Sequence, residues 1–495
     1  LSTIEKKRLA ISRQTDRGKK SHLGQFFTPE RISMFMASLF SDTKSKACRL
    51  LDPGAGIGSL TTAFLDQCLS GRLDFNEINI SAFEIDESLL HELTASIDAY
   101  RGQLPLRVQL YLTDYIEDAV FRLEFSHSER FTHAIINPPY KKIASKSRHR
   151  HLLRKVGIET GNLYSAFIAL TLALMKTGGE LVVIVPRSFC NGPYFKMFRE
   201  YVLNKAAIRY IHLFRTRDRA FRDDAVLQEN VIMMLERGGK QKNVRISFSS
   251  DDSFSDFEEC EIPFHRVVLP DDPEKFIHIP ISPEPEPLKT LEAIEFSLED
   301  LGLSVSTGPV VDFRLKDQLR EMPSKCSVPL LYPSHFRSDS IEWPIEGFKK
   351  PNAILNNEHT RRFLYPAGYY CVVRRLSSKE ERKRIIASTV DPLKLPNVHY
   401  FGFENHLNVF HDNKHGIEED LARGLTTYLN ATIVDDYLRT FNGHTQVNAT
   451  DLRKLKYPDR TTLMALGKWT RQHTSITQEM IDKRIRIALH EKAAT

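Results

Sequence analysis

Cysteine is scarce in this sequence and never paired. The six residues Cys48, Cys68, Cys190, Cys260, Cys326 and Cys371 contain no CxxC spacing, which excludes a zinc knuckle or a disulfide framework and points to a reducing compartment with no bound metal. Long apolar runs are also missing. The longest, Leu163 to Met175, is too short to span a bilayer, and no signal-peptide pattern opens the chain. Repeats are absent, and there is no low-complexity tract outside one acidic, proline-rich stretch. The expectation from these absences is a soluble, cytoplasmic protein with no membrane partner.

What is present fits a globular chain of two or three domains, with 495 residues, 41% of them hydrophobic and 27% charged. The net charge of +6 understates its asymmetry. Residues 251–300 carry fifteen Asp or Glu against three Lys or Arg, so the rest of the chain holds +18. Such a basic remainder suits a polyanionic partner.

Two stretches in the first third have the pattern of ligand loops. In Leu50-Leu51-Asp52-Pro53-Gly54-Ala55-Gly56-Ile57-Gly58-Ser59 an apolar strand ends in a carboxylate, and three glycines then let the backbone approach a ligand before a helix begins. A dinucleotide fingerprint would have Gly where Ser59 stands, which favours S-adenosylmethionine over NAD. Upstream, Gln25-Phe26-Phe27-Thr28-Pro29 is expected to start a helix, with Thr28 as its cap and Pro29 in its first turn. Two further strands end in acids. Glu84, beside Ile85, is placed to accept from ribose hydroxyls; Asp114, beside Tyr115, is placed to accept from an adenine amino group.

A fourth strand, Ala134 to Ile136, runs into Asn137-Pro138-Pro139-Tyr140. Two prolines forbid both a continued ladder and a helical turn, so a rigid polar tip stands at the sheet's carboxyl edge. The Asn137 side-chain oxygen and the Pro138 carbonyl can each accept a hydrogen from a planar amine, and Tyr140 can stack on a base. The sequence then turns basic, with Lys141, Lys142, Lys146, Arg148 and Arg150 as candidates to hold a phosphate backbone.

Alternating strands and helices predict an α/β fold: a doubly wound, mostly parallel seven-stranded sheet with ligand loops at its carboxyl edge. The expected organisation is a basic arm or helix over 1–20, the sheet domain over 21–245, an acidic linker over 246–300, a mixed α+β domain over 301–460 and a helical segment over 461–495. Within the fourth, Asn442-Gly443-His444-Thr445-Gln446-Val447-Asn448 could read base edges or merely turn the chain.

Together these motifs resemble the gamma class of adenine-N6 DNA methyltransferases, the NPPY enzymes of restriction-modification systems. The likeness is close over residues 21–240 and loose over 300–460. It implies an S-adenosylmethionine-dependent methyltransferase sheet, transfer to a flipped adenine in double-stranded DNA, a target-recognition domain over 301–460 and, as a candidate partner, a separate cognate restriction endonuclease. It assigns Gln25, Phe27, Thr28, Pro29, Asp52, Gly54, Gly56, Glu84, Ile85, Asp114 and Tyr115 to the cofactor, Asn137 to Tyr140 to catalysis, and Phe221, with Tyr140, to the flipped base. The alternative within the same fold is an enzyme acting on RNA bases or on protein glutamine amides.

Overall fold

In the computed structural model, residues 3–14, 27–42, 45–125, 130–215, 229–280, 294–337, 340–377, 381–395, 398–443 and 445–493 are described. The chain divides into two compact units, Leu1–Pro283 and Glu284–Thr495. Among the described residues, no helix is long and apolar enough to cross a membrane.

The first unit opens with helices α1 (Thr3–Gln14) and α2 (Glu30–Ser38). It continues with β1 (Ala47–Pro53), α3 (Ser59–Leu69), β2 (Glu77–Glu84), α4 (Leu90–Asp98), β3 (Leu106–Leu112), α5 (Tyr115–Phe125), β4 (Phe131–Ile136), α6 (Arg148–Lys155) and α7 (Leu163–Leu174). Strand β5 (Met175–Pro186), α8 (Lys196–Lys205), β6 (Ala206–Phe214), β7 (Asn230–Arg237), β8 (Val244–Ser249) and β9 (Glu258–Ile262) complete it. The strands form one sheet in the order β3-β2-β1-β4-β5-β7-β6-β8-β9. Pairs β1/β2, β2/β3, β1/β4, β4/β5 and β6/β8 are parallel, whereas β7 runs antiparallel to both β5 and β6.

Both faces of this doubly wound sheet are covered, which is why its central strands read as continuous apolar runs. Residues of one parity (Leu51, Ala134, Val183, Met233) join the α7 side of the core, with Phe167 and Leu170. Those of the other parity (Leu50, Ile135, Ile184, Ile232) meet Ile32 and Met36 of α2 and Phe64 of α3.

Among the described residues the sheet has nine strands, not the expected seven, because 246–249 and 258–262 of the supposed linker over 246–300 belong to it. Val244, Ile246 and Phe248 alternate with period two and are fully buried. Strand β9 pairs with β8 at the sheet's edge and turns Glu258, Glu259 and Glu261 toward solvent or only partial cover. Acids on an edge strand deter further pairing, so the charge that suggested a linker marks an edge. A helical turn at Phe264–Val267 follows, and Val267, Ile277 and Ile279 are core residues.

Of the expected arm or helix over 1–20, residues 3–14 form helix α1, which packs on its own unit. Arg8 is buried and grips Glu5 through two hydrogen bonds of 2.9 and 2.7 Å. Lys7 pairs with Glu92 at 2.7 Å, and Ile4 and Ile11 pack on Phe27, Ile57 and Leu89. Arg8 and Lys7 therefore have partners in their own unit. Arg17, Lys19 and Lys20 lie outside the described residues.

The second unit carries two larger sheets. One is antiparallel, with Ser304–Thr307, Leu407–His411, Tyr370–Arg374 and Ala387–Val390 in order; the other orders Leu319–Arg320, Ala353–Leu355, Ser327–Leu331, Tyr400–Phe403 and Leu364–Pro366. Its aromatic core includes Tyr365, Tyr370, Phe401 and Phe403. After these strands come two helices, Glu419–Leu429 and Thr432–Phe441. The break between them falls at Asn430, whose side-chain amide accepts from the Ala387 N–H and donates to the Ala387 carbonyl, at 3.0 and 2.9 Å. Helices Glu419–Leu429 and Arg460–Arg471 cross so closely that a Cβ on Gly424 would lie 1.8 Å from the Leu463 carbonyl oxygen.

Candidate active site

The carboxyl ends of β1, β2, β3 and β4 open onto one cavity. Phe27, Thr28, Gly54, Ala55, Gly56, Ile57, Glu84, Ile85, Asp114, Tyr115, Asn137, Pro139, Lys141, His149, Leu163 and Phe167 are among its lining residues. The turn after β1 depends on glycine. Gly54, Gly56 and Gly58 all have positive φ, a region that other L-residues enter at a cost. A Cβ on Gly56 would also lie 3.4 Å from the Phe27 ring, and one on Gly58 would lie 3.1 Å from Leu93. The loop is tied to the neighbouring strand, since the N–H groups of Gly54 and Ala55 both donate to the Phe83 carbonyl at 2.8 Å.

Glu84 locks that arrangement. Its carboxylate accepts from the backbone N–H of Gly56, Ile85 and Asp86, each at 2.8 Å. Burial raises its pKa above the usual carboxylate range, and the three N–H bonds oppose that shift without cancelling it. Asp86 serves as the local cap, accepting from the Ser88 N–H at 3.1 Å, which leaves Glu84 as the acid facing the cavity. Ile85, 55% exposed at the rim, offers an uncovered apolar surface. Asp52 does not line the cavity. It is fully buried beneath the loop, accepts from the Thr61 hydroxyl at 2.6 Å, and its other oxygen has no hydrogen-bond partner. Burial pushes its pKa up to about 7.

Asp114 caps α5 by accepting from the N–H groups of Ile116 and Glu117 at 2.8 and 3.2 Å. Its other oxygen meets His149 Nε2 at 2.8 Å. Burial pushes this carboxyl up, but the bond and charge of His149 together with the two N–H bonds prevail and hold it low; the same contact raises His149. Tyr115 is buried, with its hydroxyl 2.9 Å from Thr171.

At the end of β4, Asn137 Nδ2 donates to Thr28 Oγ1 at 3.0 Å, and the Tyr140 hydroxyl lies 3.1 Å from Asn137 Oδ1 and 3.4 Å from the Ile184 carbonyl oxygen. The Tyr140 ring is half-buried and meets Tyr164 edge to face, at 6.3 Å and 86°. The two prolines set the path of the tip, and these contacts orient its side chains. Pro138 is buried behind the lining. Thr28 does not cap α2 as expected. The N-cap is Pro29, without a side-chain cap bond, and the Glu30 N–H is taken by Glu5 Oε2 of α1 at 3.1 Å.

The basic run is more ordered than its composition suggests. Residues 141–143 pair with 161–163 through Leu163 N–H to the Lys141 carbonyl at 2.8 Å and Ile143 N–H to the Gly161 carbonyl at 2.7 Å. Lys141, Lys142 and Lys146 are exposed, and Arg148, also exposed, reaches Glu117 at 3.0 Å. Arg150 departs from the expected phosphate contact: it is half-buried and paired with Glu159, which Arg154 also holds at 2.7 Å. Gln25 and Phe221 lie outside the described residues. Two lining residues, His149 and Phe167, are not marked as such by any motif. His149 is concealed inside the charge run. Phe167 has the pattern of helix core, although four-residue spacing puts it one turn beyond Leu163 on the face toward the tip.

In the second unit the amide-rich loop is consumed by its own surroundings. Asn442 Oδ1 accepts from buried Arg384 at 2.8 Å, and its Nδ2 donates to the Gln446 carbonyl and to Asp451 at 3.0 and 2.9 Å. Asn448 forms a capping box with Asp451, and Gln446 accepts from Arg375 at 3.2 Å. These amides turn the chain; His444 lies outside the described residues.

Residues 68–221 match the Eco57I restriction-modification methylase family. The chain is 51% identical to the Type II methyltransferase M.BsuBI of Bacillus subtilis over 98% of its own length and 97% of that protein's, and 42% identical to the Type II methyltransferase M.PstI of Providencia stuartii over 93% and 92%. Among solved structures, the Type IIL restriction-modification enzyme MmeI in complex with DNA has a similar fold, with a TM-score of 0.52 at 12% identity over 99% of this chain and 74% of that one. A carboxyl-edge cavity of glycines and acids beside an Asn-Pro-Pro-Tyr tip, in a chain so close to these relatives along almost its whole length, belongs to the Type II methyltransferases of restriction-modification systems: it is a DNA methyltransferase whose methyl donor is S-adenosylmethionine.

Proposed function

We propose that this enzyme methylates the exocyclic N6 amine of an adenine flipped out of duplex DNA, and that the unit Glu284–Thr495 recognises the target sequence. The observation that carries the reading is the Asn137 tip, which shares one cavity with Glu84 and Asp114. The residues fit the donor. Carboxylates at the ends of β2 and β3 suit ribose hydroxyls and an adenine amino group, Phe27, Ile85 and Phe167 suit its apolar faces, and Gly56, at positive φ, lines the cavity without a side chain. When bound, S-adenosylmethionine supplies an electrophilic methyl group on a sulfonium.

The chain's own groups prepare the amine. An adenine amine is a poor nucleophile because its lone pair is delocalised into the ring. Asn137 Oδ1, an amide oxygen that can accept more than one hydrogen bond, and the Pro138 carbonyl accept the amine hydrogens as the nitrogen becomes tetrahedral. Tyr140 is held in place to stack on the base by its hydroxyl's contacts with Asn137 Oδ1 and the Ile184 carbonyl oxygen. Lys141, Lys142 and Lys146 hold phosphates near the cavity mouth. A duplex-DNA substrate and bacterial relatives also support action in the cytoplasm at the nucleoid, beside a separate cognate endonuclease.

The test is transfer of labelled methyl to DNA of mixed sequence, followed by nucleoside analysis. N6-methyladenine is the expected product; N4-methylcytosine would move the target to another planar amine at the same tip.

A further inference from the structure

Thr28 sits where a helix-capping residue is expected, yet α2 uses no side-chain cap of its own. The hydroxyl of this buried residue instead accepts from Asn137 Nδ2 at 3.0 Å, across 109 residues of sequence. The capping duty has passed to Glu5, whose Oε2 takes the Glu30 N–H at 3.1 Å. Glu5 is fixed in turn by two hydrogen bonds from buried Arg8. Ile4 and Ile11 press the same helix onto Phe27, the residue just before Thr28.

An asparagine amide has a donor end and an acceptor end, and only one of its two orientations presents oxygen to an amine. With Thr28 occupied by Nδ2 and Tyr140 beside Oδ1, the acceptor end is held in one place. Reorienting the amide would present two donors to an amine that itself donates. We propose that Thr28 is a positioning residue for Asn137, and that Glu5 on α1 keeps Thr28 in register by capping α2 in its stead. The inference rests on the reading that Asn137 meets the target amine. It gives the N-terminal helix a part in methyl transfer without contact with DNA.

The test uses the full chain, S-adenosylmethionine with a labelled methyl group and DNA of mixed sequence. Single-turnover transfer is counted as total methyl on DNA, and donor affinity is measured by calorimetry. Thr28→Val, close in shape but without the acceptor, is expected to slow transfer about 30-fold, in line with the cost of small misplacements, while donor affinity stays within about threefold. Thr28→Ser restores the rate to within about threefold of wild type. Glu5→Ala slows transfer about tenfold, and Glu5→Gln, which still offers an oxygen to the Glu30 N–H but turns its amide nitrogen onto one of the two Arg8 donors, falls between Ala and wild type.

Loss of donor affinity equal to loss of rate in Thr28→Val would make Thr28 a donor contact and overturn the proposal. So would equal rates for Thr28→Val and Thr28→Ser. Glu5→Ala at wild-type rate would overturn the part assigned to α1. Asn137→Ala serves as the control: if that variant transfers methyl normally, it is the reading of Asn137 that fails, whereas a product other than N6-methyladenine changes the target base and leaves the Thr28 comparison intact.

Discussion

Two short loops in this protein each had the look of a ligand loop and do opposite things. Asp52 to Ser59 carries three glycines behind an acid, and Asn442 to Asn448 carries amides around one glycine. The first uses backbone N–H groups to bind the sheet's own Phe83 and Glu84, and leaves an open cavity above it. The other spends its side-chain amides on Arg384, Arg375 and Asp451. What separates a ligand loop from a turn is therefore the destination of its polar groups, which composition does not specify.

The sharpest way to break the contrast is at the open site. Asn137→Ala should reduce single-turnover methyl transfer by roughly a hundredfold to a thousandfold, the scale for removing a group that meets developing charge, with a stable fold by thermal melt; a loss under tenfold would deny the tip its chemical role. The closed loop should respond in stability. Asn442→Ala leaves buried Arg384 and Asp451 short of a partner and should cost about 2–3 kcal/mol in denaturant unfolding. An unchanged midpoint would return this loop to the set of candidate base readers.

Smaller effects divide the basic run. Changing Lys141, Lys142 and Lys146 together to Ala should flatten the salt dependence of DNA binding by about 0.9 in slope for each phosphate no longer neutralised. Arg150→Ala, whose side chain already serves Glu159, should leave the slope unaltered. The smallest effect concerns Asp114 and His149. A lowered Asp114 stabilises the fold above its unfolded pKa of about 3.9, and a raised His149 stabilises it below about 6.5. The pair's contribution is therefore full between those values. It fades as pH falls through the lowered Asp114 value or rises through the raised His149 value. In urea unfolding, His149→Ala should cost at most about 1 kcal/mol at pH 5.5, discounted for partial exposure, and less at pH 8.5; a larger cost at the higher pH would contradict the pairing.

Much of the site was legible because strands expose their ends in order. Apolar runs followed by Asp52, Glu84, Asp114 and Asn137 place four polar groups on one edge whatever the loops do, and three of the four line the cavity. Asp52 was misjudged since a carboxylate at a strand end can equally turn under the loop, as it does toward Thr61. Thr28 and Glu5 were illegible for a different reason: capping is a local pattern, and here the cap arrives from 25 residues upstream. Edge strand β9 was hidden by its outward acids, and the break at Asn430 by a long-range amide contact with Ala387.

Glu84 and Asn137 line one cavity, and we propose that donor binding falls to the first and methyl transfer to the second. Titrating S-adenosylmethionine by calorimetry into Glu84→Gln and Asn137→Ala, without DNA, tests that separation directly. Loss of charge-assisted acceptance should weaken donor binding to Glu84→Gln by about 10- to 100-fold, and Asn137→Ala should bind within a few-fold of wild type. Equal weakening in both variants, or weakening confined to Asn137→Ala, would contradict it.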